Sequence, residues 1–283
     1  MTRRELWNRI RGAALKVYGE AEASSVAALI TEELYGLAKT GIFLDPADEV
    51  DAKTAGNIDD IVRQLEDARP VQYITGRAGF CGRRFSVREG VLIPRPETEE
   101  LVGWIIGDFK DRGSLSILDI GTGSGCIAVS LAAVLPGARV TAIDISEKAL
   151  EIARENASAN GVEVRFLQAD ILADALPAGE QFDIIVSNPP YVRESEKAQM
   201  GRNVLGYEPH QALFVDDADP LVFYREIADK GKTALAAGGA LYFEINEALG
   251  RETLAMLSGA GYAGAELRRD LHGKPRIVKA WLE

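Results

Sequence analysis

Cysteine and histidine are scarce in this chain: two of each in 283 residues, Cys81, Cys126, His210 and His272. The cysteines show no pairing pattern, which speaks against a disulfide framework and fits a reducing cytoplasm. With no Cys/His cluster, a zinc site is not expected. No apolar run approaches the roughly 20 residues that a membrane helix needs. The basic start, Met1-Thr-Arg-Arg-Glu-Leu-Trp, is followed by no apolar signal core, so no secretion signal is expected. A basic surplus is missing as well. The net charge is −11, whereas a protein gripping long nucleic acid usually carries a basic footprint. The balance points to a protein or small-molecule substrate, although a local basic patch can sit inside an acidic total. Repeats and low-complexity stretches are also absent. What remains is 47% hydrophobic and 27% charged residues, the proportions of a soluble globular protein. The length suits one large domain and one small one.

Residues 1–75 read as a small helical unit. Leu6, Ile10, Ala13, Ala14 and Val17 recur at helical spacing, with Gly19 as a stop. Ser24 or Ser25 is placed to cap a second helix carrying Val26, Leu29, Ile30, Leu34 and Leu37. Asn57 is placed to cap a third, with Ile58, Ile61, Val62 and Leu65. Asp45-Pro46-Ala-Asp-Glu between them is loop-like. The unit's net charge of −4 does not suit a nucleic-acid arm; it is either a packing domain or a substrate-recognition domain. In residues 76–95 the glycines at 76, 79, 82 and 90 punctuate short apolar pieces, the pattern of a β-hairpin linker. Pro94 and Pro96 end it, and a helix starts near Glu97.

From residue 115 strand and helix alternate. Strands are predicted over 115–120, 139–144, 163–168, 182–187 and 240–245, with a last one over 276–282. Helices fit at 124–135, 146–159, 220–236 and 247–259. Such alternation implies a doubly wound, mostly parallel α/β sheet, here within a domain spanning 96–283.

Gly121, Gly123 and Gly125 fall between a strand and a helix, where glycine permits a tight turn and close approach of a ligand. A dinucleotide fold favours Gly-x-Gly-x-x-Gly; the spacing here is Gly-x-Gly-x-Gly. Asp119 lies two positions ahead of the first glycine. A carboxylate in the turn would repel pyrophosphate but can hold the ammonium of a methionine moiety, directly or through water. S-adenosylmethionine is therefore favoured over NAD. Asp144 ends the second strand and is placed to accept from ribose hydroxyls. Asp170 ends the third and is placed to accept from an adenine amino group, with Ile171 beside the ring. The alternative for both aspartates is capping of the next helix.

Asn188-Pro189-Pro190-Tyr191 follows the apolar strand 182–187. An amide nitrogen is a poor nucleophile because its lone pair is delocalised. A site can help by taking both N–H protons with two acceptors and by stacking the planar group on an aromatic face. The Asn188 side-chain carbonyl and the Pro189 main-chain carbonyl are the two acceptors, and Tyr191 is the π-face. Transfer is then an in-line displacement governed by positioning, needing no strong general base. The competing view of Asn-Pro is an ordinary turn.

These stretches resemble the class I S-adenosylmethionine-dependent methyltransferases that modify amino groups, and more closely the release-factor glutamine methyltransferases. The resemblance is carried by Pro70-Val-Gln-Tyr-Ile-Thr-Gly76, Phe85-Ser-Val, Val91-Leu-Ile-Pro-Arg-Pro-Glu-Thr-Glu-Glu-Leu-Val102, Leu118-Asp-Ile-Gly-Thr-Gly-Ser-Gly-Cys-Ile-Ala128, Ser187-Asn-Pro-Pro-Tyr-Val192 and Tyr207-Glu-Pro-His-Gln-Ala-Leu213. It implies a seven-stranded class I sheet and methylation of the side-chain nitrogen, N5, of the glutamine in the Gly-Gly-Gln tip of peptide-chain release factors. It also implies that the N-terminal helical domain contacts the release factor. Phe80, Arg95 and Thr98 would line the active site, the alternatives being core, salt bridge and helix start. The residues expected to hold the cofactor are Asp119, Gly121, Thr122, Gly123, Ser124, Gly125, Asp144, Ile145, Asp170, Ile171, Asn188, Arg95 and Thr98. Those expected at the substrate are Asn188, Pro189, Pro190, Tyr191 and Phe80. The family commonly has Glu-Ile-Gly followed by Gln after the fifth strand; here Phe243-Glu-Ile-Asn246-Glu-Ala-Leu249 departs from it, which implies altered substrate contacts or altered local packing. His272-Gly273 reads as a β-turn. The expected enzyme is a cytoplasmic monomer with a protein substrate and no stable nucleic-acid or membrane partner. A nucleic-acid N-methyltransferase, a non-catalytic module of the same fold and, more distantly, an NAD dehydrogenase are the alternatives.

Overall fold

The computed structural model describes residues 1–51, 56–177 and 179–283. They form two compact units, Met1–Arg77 with Gly201–Tyr207, and Ala78–Met200 with Glu208–Glu283.

The first unit is helical. Its helix Arg3–Ala14 opens on a capping box: Thr2 Oγ1 accepts from Glu5 N at 3.2 Å and Glu5 Oε2 accepts from Thr2 N at 2.8 Å. The next helix runs Glu20–Tyr35 and starts from Gly19, not from Ser24 or Ser25. Both serine hydroxyls donate to carbonyls four residues back, at 3.0 and 3.2 Å, so they sit inside the helix and cannot cap it. Gly36 ends it at φ 65. Short helices Lys39–Leu44 and Val71–Thr75 add to the expected Ile58–Glu66. Leu6, Ile10, Ile30, Ile42, Ile61 and Leu65 close the core. Each such buried side chain contributes about 1.5–3 kcal/mol over leaving it in water. The helical turn Arg202–Leu205 belongs to this unit despite its distance in sequence. Tyr207 anchors it, donating to the Asp67 carbonyl at 3.0 Å while Arg69 lies over its ring.

The second unit starts with a hairpin of β1 (Arg77–Phe80) and β2 (Arg83–Ser86). Its two-residue turn, Cys81-Gly82, has φ of 49 and 70, the signature of the turns that match strand twist. The helix Pro96–Phe109 follows, with proline at its first position. Then come β3 (Ser116–Ile120), β4 (Arg139–Asp144), β5 (Arg165–Gln168) and β6 (Phe182–Ser187). Two short strands, β7 (Val192–Arg193) and β8 (Phe214–Val215), pair with each other. Finally β9 (Leu235–Glu244), β10 (Gly264–Arg269) and β11 (Pro275–Trp281) complete a seven-stranded sheet in the order β10-β11-β9-β6-β3-β4-β5. The five strands from β9 to β5 are parallel; β11 runs antiparallel to both β9 and β10, so it alone is reversed in the sheet. Alternate residues feed opposite faces. Ile117, Ile184 and Val186 enter one core with Leu101, Val102 and Ile105. Leu118, Ile185 and Phe243 enter the other with Tyr224 and Ile227. Strand order reverses at the β3/β6 pair, the place where doubly wound sheets open a crevice for ligands.

β10 was not among the expected strands. Its sequence, Gly-Ala-Glu-Leu-Arg-Arg, has no buried residue, because it is an edge strand and lacks the apolar run that marks the central ones. The expected turn at His272-Gly273 joins β10 to β11, with Gly273 at φ 78. Among the described residues no helix is long and apolar enough to cross a membrane.

Candidate active site

A cavity of about 330 Å³ opens at the carboxyl ends of β3, β4 and β6, within the size range of small-molecule sites. Gly121, Thr122, Gly123, Ser124, Asp144, Ile145, Asp170, Ile171, Asn188, Pro189, Pro190, Arg95 and Thr98 all line it. Sequence separations of almost a hundred residues thus collapse onto one crevice.

The glycine turn is tethered to β4. Gly121 N and Thr122 N both donate to the Ile143 carbonyl, at 2.9 and 3.1 Å. Gly123 N donates to Asp144 Oδ2 at 2.8 Å. Gly125 sits at φ 80, and a Cβ there would lie 3.0 Å from the Ala153 Cβ. It is a packing glycine, letting the helix Cys126–Val134 approach the helix Glu147–Ala159, and it does not line the cavity.

Asp119 corrects an expectation. It is fully buried beneath the turn and is not a cavity wall. Its Oδ2 accepts from the Thr122 hydroxyl at 2.6 Å and from Ala128 N at 3.2 Å. The carboxylate therefore staples the turn to the next helix, and a direct contact with a ligand ammonium is not its role here. Its Oδ1 is buried without a partner, as is Ser124 Oγ. Burial pushes the Asp119 carboxyl up to about 7.

Asp144 does not cap the helix after it; Ser146 does, accepting from Ala149 N at 3.2 Å. Each Asp144 oxygen accepts one backbone N–H, from Gly123 and from Ser146, and each retains acceptor capacity. Burial raises its pKa. Asp170 Oδ1 accepts from Leu172 N at 2.9 Å, an Asx turn that fixes the start of the loop after β5.

At the end of β6, Asn188 Nδ2 donates to Thr98 Oγ1 at 3.3 Å. The Asn188 carbonyl oxygen and the Pro189 main-chain carbonyl have no protein donor among the described residues. Two of the residues expected at the substrate are elsewhere. Phe80 is a core residue, 1% exposed and edge-on to Phe85 at 5.9 Å. Tyr191 does not line the cavity; its ring packs against the core and its hydroxyl donates to Glu244 Oε1 at 3.0 Å. Both carry large apolar surface whose burial outweighs display at the cavity. Arg95 fills two roles, as a cavity wall and as the ion-pair partner of Glu208 at 2.5 Å.

Sequence reading did not single out the buried acids that hold the walls in place. Glu208 also accepts from Ile93 N at 3.0 Å, fixing the segment Gly90–Pro94 as a wall. Glu244 is buried between Thr98 and Tyr191. Nothing periodic marks such residues; for Glu244 the signal is an acid inside an otherwise apolar strand, Leu241-Tyr-Phe-Glu-Ile245, whereas Glu208 lies in a loop with no such signal. Asn246, the family departure, serves local packing: its Nδ2 donates to the Tyr191 carbonyl at 3.0 Å and to Glu196 Oε2 at 2.9 Å.

Comparison with known proteins agrees with this geometry. The Methyltransferase small domain family matches residues 104–207 and the PrmC N-terminal domain family matches residues 11–76. A release factor glutamine methyltransferase from Flavobacterium psychrophilum is 45% identical over 270 residues, 94% of either chain. One from Bacteroides thetaiotaomicron is 45% identical over 96% of this chain and 97% of its own. Among solved structures, a 16S rRNA N2 methyltransferase from Thermus thermophilus in complex with AdoMet and guanosine aligns with a TM-score of 0.55 at 18% identity, over 73% of this chain and 50% of that one. A methyltransferase from Pyrococcus furiosus aligns at 0.53 and 18%, over 81% and 100%. These two likenesses speak to the fold alone. By sequence over nearly its whole length, the chain belongs to the release factor glutamine methyltransferases.

Proposed function

We propose that this protein transfers a methyl group from S-adenosylmethionine to the side-chain nitrogen of the glutamine in the Gly-Gly-Gln motif of peptide-chain release factors. The observation that carries the reading is that the Asn188 side-chain carbonyl and the Pro189 main-chain carbonyl have no protein donor among the described residues, on two residues that line the same cavity as the glycine turn.

The donor set fits the cofactor. Asp144 keeps acceptor capacity for a ribose diol. Ile145 and Ile171 supply apolar walls for an adenine ring, and Asp170 an acceptor at its edge. The positive-φ glycines leave the turn without side chains where a ligand would lie against it. When bound, the cofactor supplies an electrophilic methyl on a sulfonium. The protein's part is to hold the nucleophile. Asn188 and Pro189 accept the two N–H groups of the amide and fix its plane, so that the nitrogen faces the methyl. Transfer would break the sulfonium's carbon–sulfur bond and leave a neutral thioether; the two carbonyls would stabilise the positive charge that develops on the amide N–H groups, one of which would then give its proton to water. Tyr191, the expected aromatic platform, lies outside the residues that line the cavity, and its hydroxyl donates to Glu244, tying the end of the Asn-Pro-Pro-Tyr segment to that strand.

The helical unit, taken as residues 1–75, is assigned to recognising the release factor, with 76–95 as linker and 96–283 as the catalytic domain. The match of residues 11–76 to the PrmC N-terminal domain family, and exposed Phe43 and Leu44 on that unit, support the assignment. The acidic total of −11 supports a protein substrate over a stable nucleic-acid partner. The same reading has the enzyme act as a cytoplasmic monomer. The test is incubation of a purified release factor with the enzyme and S-adenosylmethionine, followed by mass spectrometry. One added methyl is expected, and none on a release factor whose Gly-Gly-Gln glutamine is replaced by alanine.

A further inference from the structure

Thr98, in the first turn of the helix Pro96–Phe109, stands between Asn188 and Glu244. Its hydroxyl donates to Glu244 Oε2 at 2.6 Å and accepts from Asn188 Nδ2 at 3.3 Å. A hydroxyl has one proton. Once that proton is given to the carboxylate, the oxygen can only accept, so the amide of Asn188 must present its NH2 to Thr98. The Asn188 carbonyl is then turned away from Thr98 and left for the substrate. The other Glu244 oxygen is taken by the Tyr191 hydroxyl at 3.0 Å, so neither carboxylate oxygen is free to rotate the pattern. The Tyr224 hydroxyl donates to the Glu244 main-chain carbonyl at 3.1 Å, which fixes the residue's own backbone.

We infer that Glu244 is a positioning residue for methyl transfer: through Thr98 it sets which end of the Asn188 amide faces the substrate, and through Tyr191 it holds the other end of the Asn-Pro-Pro-Tyr segment. The inference rests on the functional reading above. A swapped amide would offer the substrate an N–H where it needs an acceptor, and both partners would then be donors. The carboxylate is buried at low local dielectric, where such a hydroxyl chain is strong when fully satisfied.

The test compares Glu244→Gln, Thr98→Val, Thr98→Ser and the double variant Glu244→Gln/Thr98→Val. Measured are kcat and KM for a release factor, the Kd of S-adenosylhomocysteine, and the exchange of the Asn188 side-chain amide protons by NMR. Glu244→Gln can turn an NH2 toward Thr98 and send the hydroxyl proton to Asn188; Thr98→Val breaks the chain at nearly constant volume. Each is expected to lower kcat roughly 10- to 100-fold with little change in KM or Kd. Thr98→Ser keeps the hydroxyl and is expected to retain activity. The double variant is expected to lose no more than the worse single one, the mark of residues acting as a unit. Asn188 amide exchange is expected to be slowed in the wild type and fast in Thr98→Val, a readout that needs no turnover and serves even where Glu244→Gln folds poorly. A wild-type kcat in both single variants, losses that multiply in the double variant, or Asn188 amide exchange unchanged in Thr98→Val would overturn the inference. An inactive wild type with slowed Asn188 exchange would overturn the functional reading and leave the relay standing.

Discussion

The Arg95 guanidinium donates to the Glu208 carboxylate at 2.5 Å across 113 residues of sequence. The same carboxylate accepts from Ile93 N, so one buried acid ties the Val91–Arg95 wall to the segment that follows Tyr207.

Glu208→Ala is expected to leave the buried Ile93 N–H without an acceptor and Arg95 without its partner. The loss of stability should be about 2–4 kcal/mol, with weaker cofactor binding because the wall loosens. Urea unfolding and calorimetric titration with S-adenosylhomocysteine check both, and an unchanged midpoint would show that the tie is redundant.

Asp144 meets Gly123 N directly, so Asp144→Ala is expected to remove a ribose acceptor and loosen the glycine turn together. Cofactor affinity should fall about 10- to 100-fold, the size of one or two charge-assisted hydrogen bonds. Titration with S-adenosylhomocysteine measures it; equal affinity would refute the ribose role.

Most of the sheet is legible in the sequence because its central parallel strands, β3, β4, β6 and β9, are largely buried and read as apolar runs. β4 and β6 occupy the expected residues, 139–144 and 182–187. The edge strand β10 is not legible, since half-exposed strands carry charge. Motif residues with short side chains, Gly121–Ser124 and Asn188–Pro190, line one cavity. Side-chain direction was harder. Asp119 and Tyr191 lie within the motifs and Phe80 in the hairpin before them, yet each side chain packs into the protein, and one-dimensional spacing does not report which way a side chain faces. Glu244 and Glu208 escaped because their partners are more than 50 residues away in sequence.

The Asp119 carboxyl titrates at about 7 in the folded chain because burial outweighs its two hydrogen bonds; an unfolded aspartate titrates near 4. Between those values the folded state binds more protons, so this group's contribution to stability is complete below about pH 4 and is lost as pH rises through about 7. Asp119→Asn keeps an acceptor for Thr122 and Ala128 and has no such proton to lose. The variant is expected to match the wild type near pH 4 and to exceed it by about 1–3 kcal/mol near pH 8, measured as urea midpoints in the absence of cofactor. A constant difference across that range would contradict the buried-carboxyl explanation.

Gly125→Ala combines positive φ with a Cβ 3.0 Å from the Ala153 Cβ. A loss of about 1–3 kcal/mol is expected, seen as a lower Tm. A Tm within error of the wild type would mean that the two helices can part at no cost.

The most direct measurement is tandem mass spectrometry of a release factor after reaction with wild-type enzyme and with Asn188→Ala, each confirmed to bind S-adenosylhomocysteine. Wild type should place one methyl on the side-chain nitrogen of the Gly-Gly-Gln glutamine, and Asn188→Ala should slow this by about 100- to 1,000-fold while keeping its fold. Methylation at another position, or near-normal turnover in the variant, would contradict the two-carbonyl mechanism.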